Sequence, residues 1–543
     1  MSRSILQVFE DYQKSRMTFV QTIAELAVRP QNIDTLHSAG VIGLLKPLLI
    51  DSVPAIQQSA ALAIGRLANH SEDLAESVIQ NDIISQLIYS LSNQNRFFKK
   101  ASCYVLRAVA KHSPQLSEDI VNSGALEPLV NCLEDFDATV KESSAWALGY
   151  IAKHNERLAT HVKDAKAIEG LVLCLKEPEI SLKRCATQTL SYIAQHSENL
   201  ALALAENGID IIVNLLNDND VQLKRNVCLL LGNITKHSIT TSNLVISALG
   251  KPTKLIYCLK DPDLTVRKNA SFCILEIVNK SNKSAEKFVD VGIVAALSDY
   301  ITNVKGESRL YGILSLGFIA HYDETYAKNI ITYKKAIPQL RDALNSETLP
   351  QVKSAACFAL GNIAKHTQQN AGDVAEHNVL PLILYYYISN ESTEELKKKA
   401  KIALKHIIKF CNNIQAMDPL LSVAPKKIMK MILNQYLNCF KSSGNDKKLF
   451  LKNGGFPKLM DIKDKLTNEK EQREKEMKDR TNNISNNSQF KENMDKKELA
   501  LFEDIIRLIE EISSQFSDDI AKYYNKDEMK KKIDEFCKEN AEN

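Results

Sequence analysis

The stretch Trp146-Ala147-Leu148-Gly149-Tyr150-Ile151-Ala152-Lys153-His154 decides the fold, because the chain repeats it. It stands earlier as Leu62-Ala63-Ile64-Gly65-Arg66-Leu67-Ala68-Asn69-His70 and later as Phe358-Ala359-Leu360-Gly361-Asn362-Ile363-Ala364-Lys365-His366. Aligned on Gly149, one column reads Ala24, Gly65, Arg107, Gly149, Ser191, Gly232, Leu275, Gly317, Gly361 and Lys405, at spacings of 41 to 44 residues. A second column, Gly40, Asp82, Gly124, Lys166, Gly208, Gly250 and Gly292, falls 42 residues apart throughout. Two columns with one period identify a repeated supersecondary unit.

Each unit reads as three helices. Ser113 suits an N-cap and Pro114 the first helical position of a short helix. Gly124 then suits a left-handed turn. Residues 126–133 place Leu126, Leu129, Val130 and Leu133 at helical spacing. After an acidic turn at 135–137, a third helix is expected over about 138–152, with Val140, Ala147, Leu148 and Ile151 on one apolar stripe and the small Ser144 beside them. A lone unit cannot bury that stripe; stacked neighbours can, and stability is then roughly a nearest-neighbour sum. The expected fold is all-α, a right-handed α-solenoid whose short first helix and period resemble armadillo more than HEAT repeats. With helices about 8–10 Å apart, ten units give a length on the order of 100 Å, with a groove lined by third helices.

The array is expected over residues 1–415, about ten units. Residues 416–463 read as a degenerate helical cap. Residues 464–498 are dominated by Lys, Glu, Asp, Asn and Ser, and are expected to be a disordered or loosely helical insertion. Apolar periodicity returns in 499–543, at Leu501, Ile505, Ile506, Leu508, Ile509 and Ile512, with a short helix expected at 527–536.

Composition sets outer bounds. The 543 residues carry 69 Lys plus Arg against 66 Asp plus Glu, a net charge of +3 that predicts neither nucleic-acid nor membrane binding. Apolar residues are 44% and aromatics 6%, and 18 Gly with 14 Pro disfavour a turn-rich β protein. The eleven cysteines are scattered without a C-x-x-C pair. Cys132, Cys174 and Cys258 sit in apolar runs, which reads as buried thiols in a reducing compartment. The N-terminal residues lack the apolar run of a signal peptide, and no apolar stretch of membrane-spanning length is evident. An intracellular, soluble protein is expected.

Chemistry is harder to find. There is no G-x-G-x-x-G, H-E-x-x-H or G-x-S-x-G. Gly250-Lys251-Pro252-Thr253 lacks the upstream glycine of a phosphate loop. His70, His112, His154, His196, His237 and His366 each end a third helix, and stacking holds them one layer apart, too far for shared metal ligation. They read instead as partners of helix C-terminal carbonyls. No catalytic residue, cofactor or metal site is expected.

A basic column carries the candidate binding surface: Lys99, Lys141, Lys183, Lys224, Arg267, Arg309 and Lys353, with Arg184, Arg225 and Lys268 beside it. Near the starts of third helices, these cations would run along the groove edge. Two readings stand. They hold an extended acidic partner with salt-sensitive affinity, or they pair with the acidic turn residues just before them, such as Asp135, Glu177, Asp220, Asp261 and Asp263. An armadillo nuclear-import receptor needs a Trp and, four residues on, an Asn in many third helices. Here those columns hold both residues in no unit, having Trp146 with Tyr150 and Leu229 with Asn233.

Several stretches resemble one family beyond the repeat itself. They are Ile5-Leu6-Gln7-Val8-Phe9-Glu10-Asp11-Tyr12-Gln13-Lys14, Ala27-Val28-Arg29-Pro30-Gln31-Asn32-Ile33, Lys111-His112-Ser113-Pro114-Gln115-Leu116, and Leu449-Phe450-Leu451-Lys452-Asn453-Gly454-Gly455. Asn93-Gln94-Asn95-Arg96-Phe97, Leu133-Glu134-Asp135-Phe136-Asp137 and Ile520-Ala521-Lys522-Tyr523-Tyr524 join them. The chain resembles the armadillo-repeat protein family of the ciliary central pair, the sperm-associated antigen six family. The insertion at 464–498 is longer than that pattern, and the seventh unit has Leu275 and Lys280 where glycine and histidine are usual. The resemblance implies a non-enzymatic scaffold on the C1 microtubule of the axonemal central apparatus, supporting motility. Its implied partners are tubulin and other central-apparatus proteins, with self-association along the microtubule, and no nucleic acid or membrane. A soluble cytoplasmic adaptor that recruits a signalling or trafficking partner is the alternative.

Overall fold

The computed structural model describes residues 2–93, 95–442, 444–481 and 488–516. Every regular element among them is a helix. The chain divides into two compact units, Met1–Val291 and Gly292–Asn543.

The unit around residue 113 shows how sequence becomes structure. The Ser113 hydroxyl accepts from the Leu116 amide, and Pro114 opens the helix Pro114–Asn122. Gly124 turns the chain at φ +80° into the helix Leu126–Cys132. Asp135 accepts from the Asp137 amide, and Asp137 caps the third helix by accepting from the Thr139 amide. That helix, Ala138–Lys153, buries Val140, Ser144, Ala147, Leu148 and Ile151.

The helices that carry the glycine-column positions in the first unit are α1 (Ser2–Leu26), α2 (Pro54–Ala68), α3 (Arg96–Ala110), α4 (Ala138–Lys153), α5 (Ile180–Ala194), α6 (Val221–Thr235) and α7 (Leu264–Val278). Each packs on the next. The glycine column is what lets them approach. A Cβ on Gly65 would lie 2.5 Å from the Tyr104 ring, one on Gly149 2.5 Å from Thr189 Oγ1, and one on Gly232 2.5 Å from the Phe272 ring. In the second unit α8 (Glu307–Tyr322), α9 (Pro350–Ala364) and α10 (Glu394–Phe410) repeat the arrangement.

One turn differs from expectation. Gly208 does not turn the chain: the helix Glu198–Asn214 runs straight through it. A Cβ there would lie 2.7 Å from Val172, so glycine serves close helix packing instead. The segment Glu198–Asn217 is long and apolar enough to cross a membrane. Half of it is buried in the array, including Leu200, Leu204 and Ile212, which accounts for its apolarity.

The C-terminal part also differs. α11 (Lys426–Ser442) packs on α10, and α12 (Gly455–Thr481) is helical through the first half of the stretch expected to be disordered or loosely helical. α12 pairs with α13 (Ser488–Ser513). Its charges find partners at Lys470–Glu503 (2.9 Å), Arg473–Glu498 (3.2 Å) and Lys463–Glu510 (2.9 Å). At its start Phe456, Leu459, Ile462 and Leu466 are buried. The expected helix at 527–536 and the matched stretch at 520–524 lie outside the described residues.

Candidate functional site: the third-helix surface

The histidine column joins units. The Nε2 of His112, His154, His196, His237 and His366 lies 2.6–2.8 Å from the carbonyl oxygens of Ala68, Ala110, Ala152, Ala194 and Ala320. A carbonyl only accepts, so each Nε2 carries the proton. Each of these five histidines thus caps the C-terminal end of the preceding third helix. No group of three or more metal-ligating residues occurs among the described residues. All ten described cysteines are free and buried.

Most of the basic column is also used within the chain. Lys99 bonds Asp135 at 2.9 Å, Lys141 bonds Glu177 at 2.6 Å and Lys224 bonds Asp261 at 2.8 Å. Arg184 makes a fork onto Asp220, and Arg225 one onto Asp263. The partner is the acidic turn that follows, 36 to 38 residues on, and not the turn just before. The carboxyls respond: the guanidinium of Arg225, with the Val266 and Thr265 amides, holds Asp263 down to about 2. Hydrogen bonding from Arg184 lowers Asp220 likewise.

Arg309 departs furthest from the groove-edge expectation. It is only 1% exposed, bonded to Asp342 at 3.0 Å, to Glu347 at 3.2 Å and to Gln339. It is a buried cross-brace, closed to any partner. Arg267 donates to the carbonyls of Asp261 and Pro262 in its own turn, and Lys268 neighbours it on α7. Lys353 sits over the Tyr386 ring at 4.7 Å. Lys183 is half-buried and makes no ion pair among the described residues. The ladder is chiefly mortar, because the acidic turn of each unit is presented to the cation of its neighbour.

The open chemistry lies on the faces of the third helices. In the first unit Leu62 on α2, Phe97, Lys100 and Tyr104 on α3, and Trp146 on α4 surround a depression of about 430 Å³. The Arg107 guanidinium lies 5.0 Å from the Trp146 ring centre and 5.3 Å from that of Tyr150. The Lys153 ammonium follows, 5.8 Å from Tyr150 and 5.7 Å from Tyr192. The second unit has a depression of about 410 Å³ at equivalent positions, walled by Leu310, Leu314, Phe318 and Phe358, with Lys399 4.9 Å above Phe358. The basic column includes Lys100 beside Lys99, but reading that column alone missed Arg107 and Lys153. Their signal was Arg107 standing in a glycine column.

The import-receptor arrangement is absent from these faces. Asn233 is buried and donates to Ser191 Oγ at 2.9 Å, and Asn362 is held by His321 at 3.1 Å.

Comparison with known proteins agrees with the repeat. The Armadillo/beta-catenin-like repeat family model matches residues 113–153. Over 100 residues the chain is 66% identical to mouse sperm-associated antigen 6 and 65% identical to the human protein. The chain folds as armadillo repeats and, over that stretch, is similar to sperm-associated antigen 6. The matched stretch is 18% of this chain and 20% of each relative. A crystal structure of an engineered protein covers 72% of this armadillo chain, and 94% of its own length, at TM-score 0.68. At 23% sequence identity, that likeness speaks for the fold alone.

Proposed function

We propose that this armadillo protein is a non-enzymatic scaffold of the ciliary or flagellar axoneme, seated on the C1 microtubule of the central apparatus. The observation that carries the proposal is 66% identity over 100 residues to proteins named as sperm-associated antigen 6. The repeat supports it physically. Successive units present equivalent surfaces, so many weak contacts act at high effective concentration for one another. Tubulin and other central-apparatus proteins are the proposed partners, with self-association along the microtubule. The third-helix surface is the proposed contact face. Of the ladder, Lys183 stays available to it, whereas Lys99, Lys141, Arg184, Lys224, Arg225 and Arg309 are engaged within the chain.

The test is to tag the protein in a liated or flagellated stage of its source cell, extract with detergent and image the axoneme. A continuous axial line that resists extraction is expected. A wholly soluble, diffuse signal would overturn the axonemal reading in favour of a cytoplasmic adaptor.

A further inference from the structure

Two pairs of cysteines meet across unit boundaries in the same way. Cys103 stands on α3, and Cys132 is the last residue of the helix Leu126–Cys132 in the following unit. Cys228 stands on α6, and Cys258 is the last residue of the helix Thr253–Cys258 in the unit after it. In each pair the third-helix thiol donates a hydrogen bond to the other sulfur. A lysine four residues before the first cysteine bonds an aspartate three residues after the second. Lys99 reaches Asp135 at 2.9 Å and Lys224 reaches Asp261 at 2.8 Å. Each ion pair clamps the two helices together where the sulfurs meet.

The two sulfurs of a pair are not alike. Accepting that hydrogen bond, with the lysine ammonium nearby, holds the Cys132 and Cys258 thiols below the ordinary thiol value, against burial and the aspartate. Donating it, together with burial, pushes Cys103 and Cys228 well up. One sulfur is thus prepared as a thiolate nucleophile while its neighbour keeps a proton. Cys132 and Cys258 are also the members nearer solvent, 2% and 4% exposed against 0% for Cys103 and Cys228. Cys174 gives the contrast. It ends the helix Ala167–Cys174 beside the Lys141–Glu177 pair, but Ala145 stands where the second thiol would. Without that donor, burial pushes its thiol up to about 11.

We propose that Cys103–Cys132 and Cys228–Cys258 are oxidation sites, each closing to a disulfide under a peroxide and stitching the third helix of one unit to the second helix of the next. The thiolate of Cys132 attacks one oxygen of hydrogen peroxide. The O–O bond breaks, and the departing hydroxide takes up the proton that Cys132 lost and leaves as water. The Cys132 sulfur is now a sulfenic acid. The Cys103 sulfur attacks it, the S–O bond breaks, and that hydroxide leaves with the Cys103 proton as a second water. Two thiols are oxidised and one peroxide is reduced, giving one disulfide and two waters. Because the sulfurs are already in hydrogen-bond contact, little chain entropy opposes closure. In a reducing compartment the pair rests as two thiols, and thiol exchange reverses closure. The proposal depends neither on the axonemal location nor on what the third-helix face binds.

Trypsin leaves these cysteines on separate peptides, 101–107, 112–141, 226–236 and 255–260, with Cys174 on 167–176. The full-length reduced protein is exposed to hydrogen peroxide, its remaining thiols are alkylated, and the digest is read by mass spectrometry. Peptide 101–107 should appear joined to 112–141, and 226–236 to 255–260, each two hydrogens lighter than the sum. Dithiothreitol should separate them. Cys174 should be consumed at least about tenfold more slowly, its loss of thiolate outweighing its greater intrinsic nucleophilicity. Cys103→Ala installs the side chain that α4 carries at the same place. It should abolish the first linkage and slow consumption of Cys132 about tenfold, toward the rate of Cys174. The Cys228–Cys258 linkage should still form in that variant, which shows that the array is folded. Intact thiols at either pair, oxidation that stops at a sulfenic or sulfinic acid, or linkage to any other cysteine or between two chains would overturn the proposal. So would consumption of Cys174 as fast as Cys132. None of these outcomes bears on the extraction experiment.

Discussion

His154 Nε2 donates to the carbonyl of Ala110 across 2.6 Å, tying one unit to the C-terminal end of the third helix before it. The last carbonyls of a helix have no partner within it, and this bond supplies one from the next layer. Replacing His154 by Ala should leave the Ala110 carbonyl bare and cost about 1 kcal/mol, the net worth of one such bond. Nearest-neighbour coupling in repeat arrays spreads that loss over two interfaces. Urea denaturation of His154→Ala and His154→Gln would check it: the amide of Gln still donates, so that variant should lose less.

The same column makes stability depend on acidity. Burial holds the imidazoles of His196 and His237 below their ordinary value of 6.5, against the raising effect of their carbonyl bonds. Lys236 and Glu156 face His196, while Lys236, Lys280 and Glu198 face His237. A group depressed in the folded state binds its proton more weakly there than in the unfolded chain. Its stabilising contribution is therefore full above 6.5 and is lost as pH falls toward the folded value. The melting temperature should fall between pH 7.5 and 5.5. In the His196→Gln/His237→Gln double variant that fall should be shallower.

Arg309 is expected to be the most sensitive cation in the chain. It is fully buried between Asp342 and Glu347, and Glu347 also accepts from the Gly306 amide. Removing one partner of a buried pair strands the other, at about 3–5 kcal/mol. Arg309→Ala should be strongly destabilised in thermal or urea unfolding. Lys141→Ala, whose partner Glu177 is partly exposed, should lose about 1 kcal/mol or less. Equal losses for the two would contradict the assignment of Arg309 as a brace.

What was legible in the sequence is what the repeat imposes. The three helices, their caps at Ser113 and Asp137 and the carbonyl-seeking histidines all follow from positions that recur, so each unit vouches for the others. The site was less legible because pairing is a relation between units. Lys141 and Glu177 lie 36 residues apart, and nothing local says that the cation reaches forward and not back. Arg309 looks like any ladder member until its burial is known. For a related reason the sequence left α12 open between a disordered and a loosely helical segment. Its buried apolar anchor runs from Phe456 to Leu466, and Lys470 and Arg473 beyond it pair with charges on α13, distant in sequence.

The glycine column should tolerate alanine unequally. A Cβ on Gly149 meets the Thr189 hydroxyl at 2.5 Å, and that hydroxyl can rotate away by giving up its bond to the Ala145 carbonyl. A Cβ on Gly361 meets the Ala403 Cα at 2.9 Å, where only backbone movement gives relief. Overpacking of this kind costs about 1–3 kcal/mol, offset by about 1 kcal/mol from the better helix propensity of alanine. Gly149→Ala should be near neutral or mildly destabilising, and Gly361→Ala clearly destabilising in urea unfolding. The reverse order would mean that α9 and α10 can part more easily than their packing implies.

The pairing of α12 with α13 should be sensitive to salt. Lys470 bonds Glu503 at 2.9 Å and Glu474 at 3.6 Å, Arg473 bonds Glu498 at 3.2 Å, and all five side chains stand in contact with solvent. Exposed pairs of this sort are screened once the Debye length shrinks to about 3 Å near 1 M ionic strength. The apolar anchor at Phe456, Leu459, Ile462 and Leu466 is buried and gains nothing from low salt. Trypsin should therefore cut the stretch after Leu466 faster at high salt, while cleavage within α4 stays unchanged. Equal protection at both salt concentrations would show that α12 is held by packing and not by its charges.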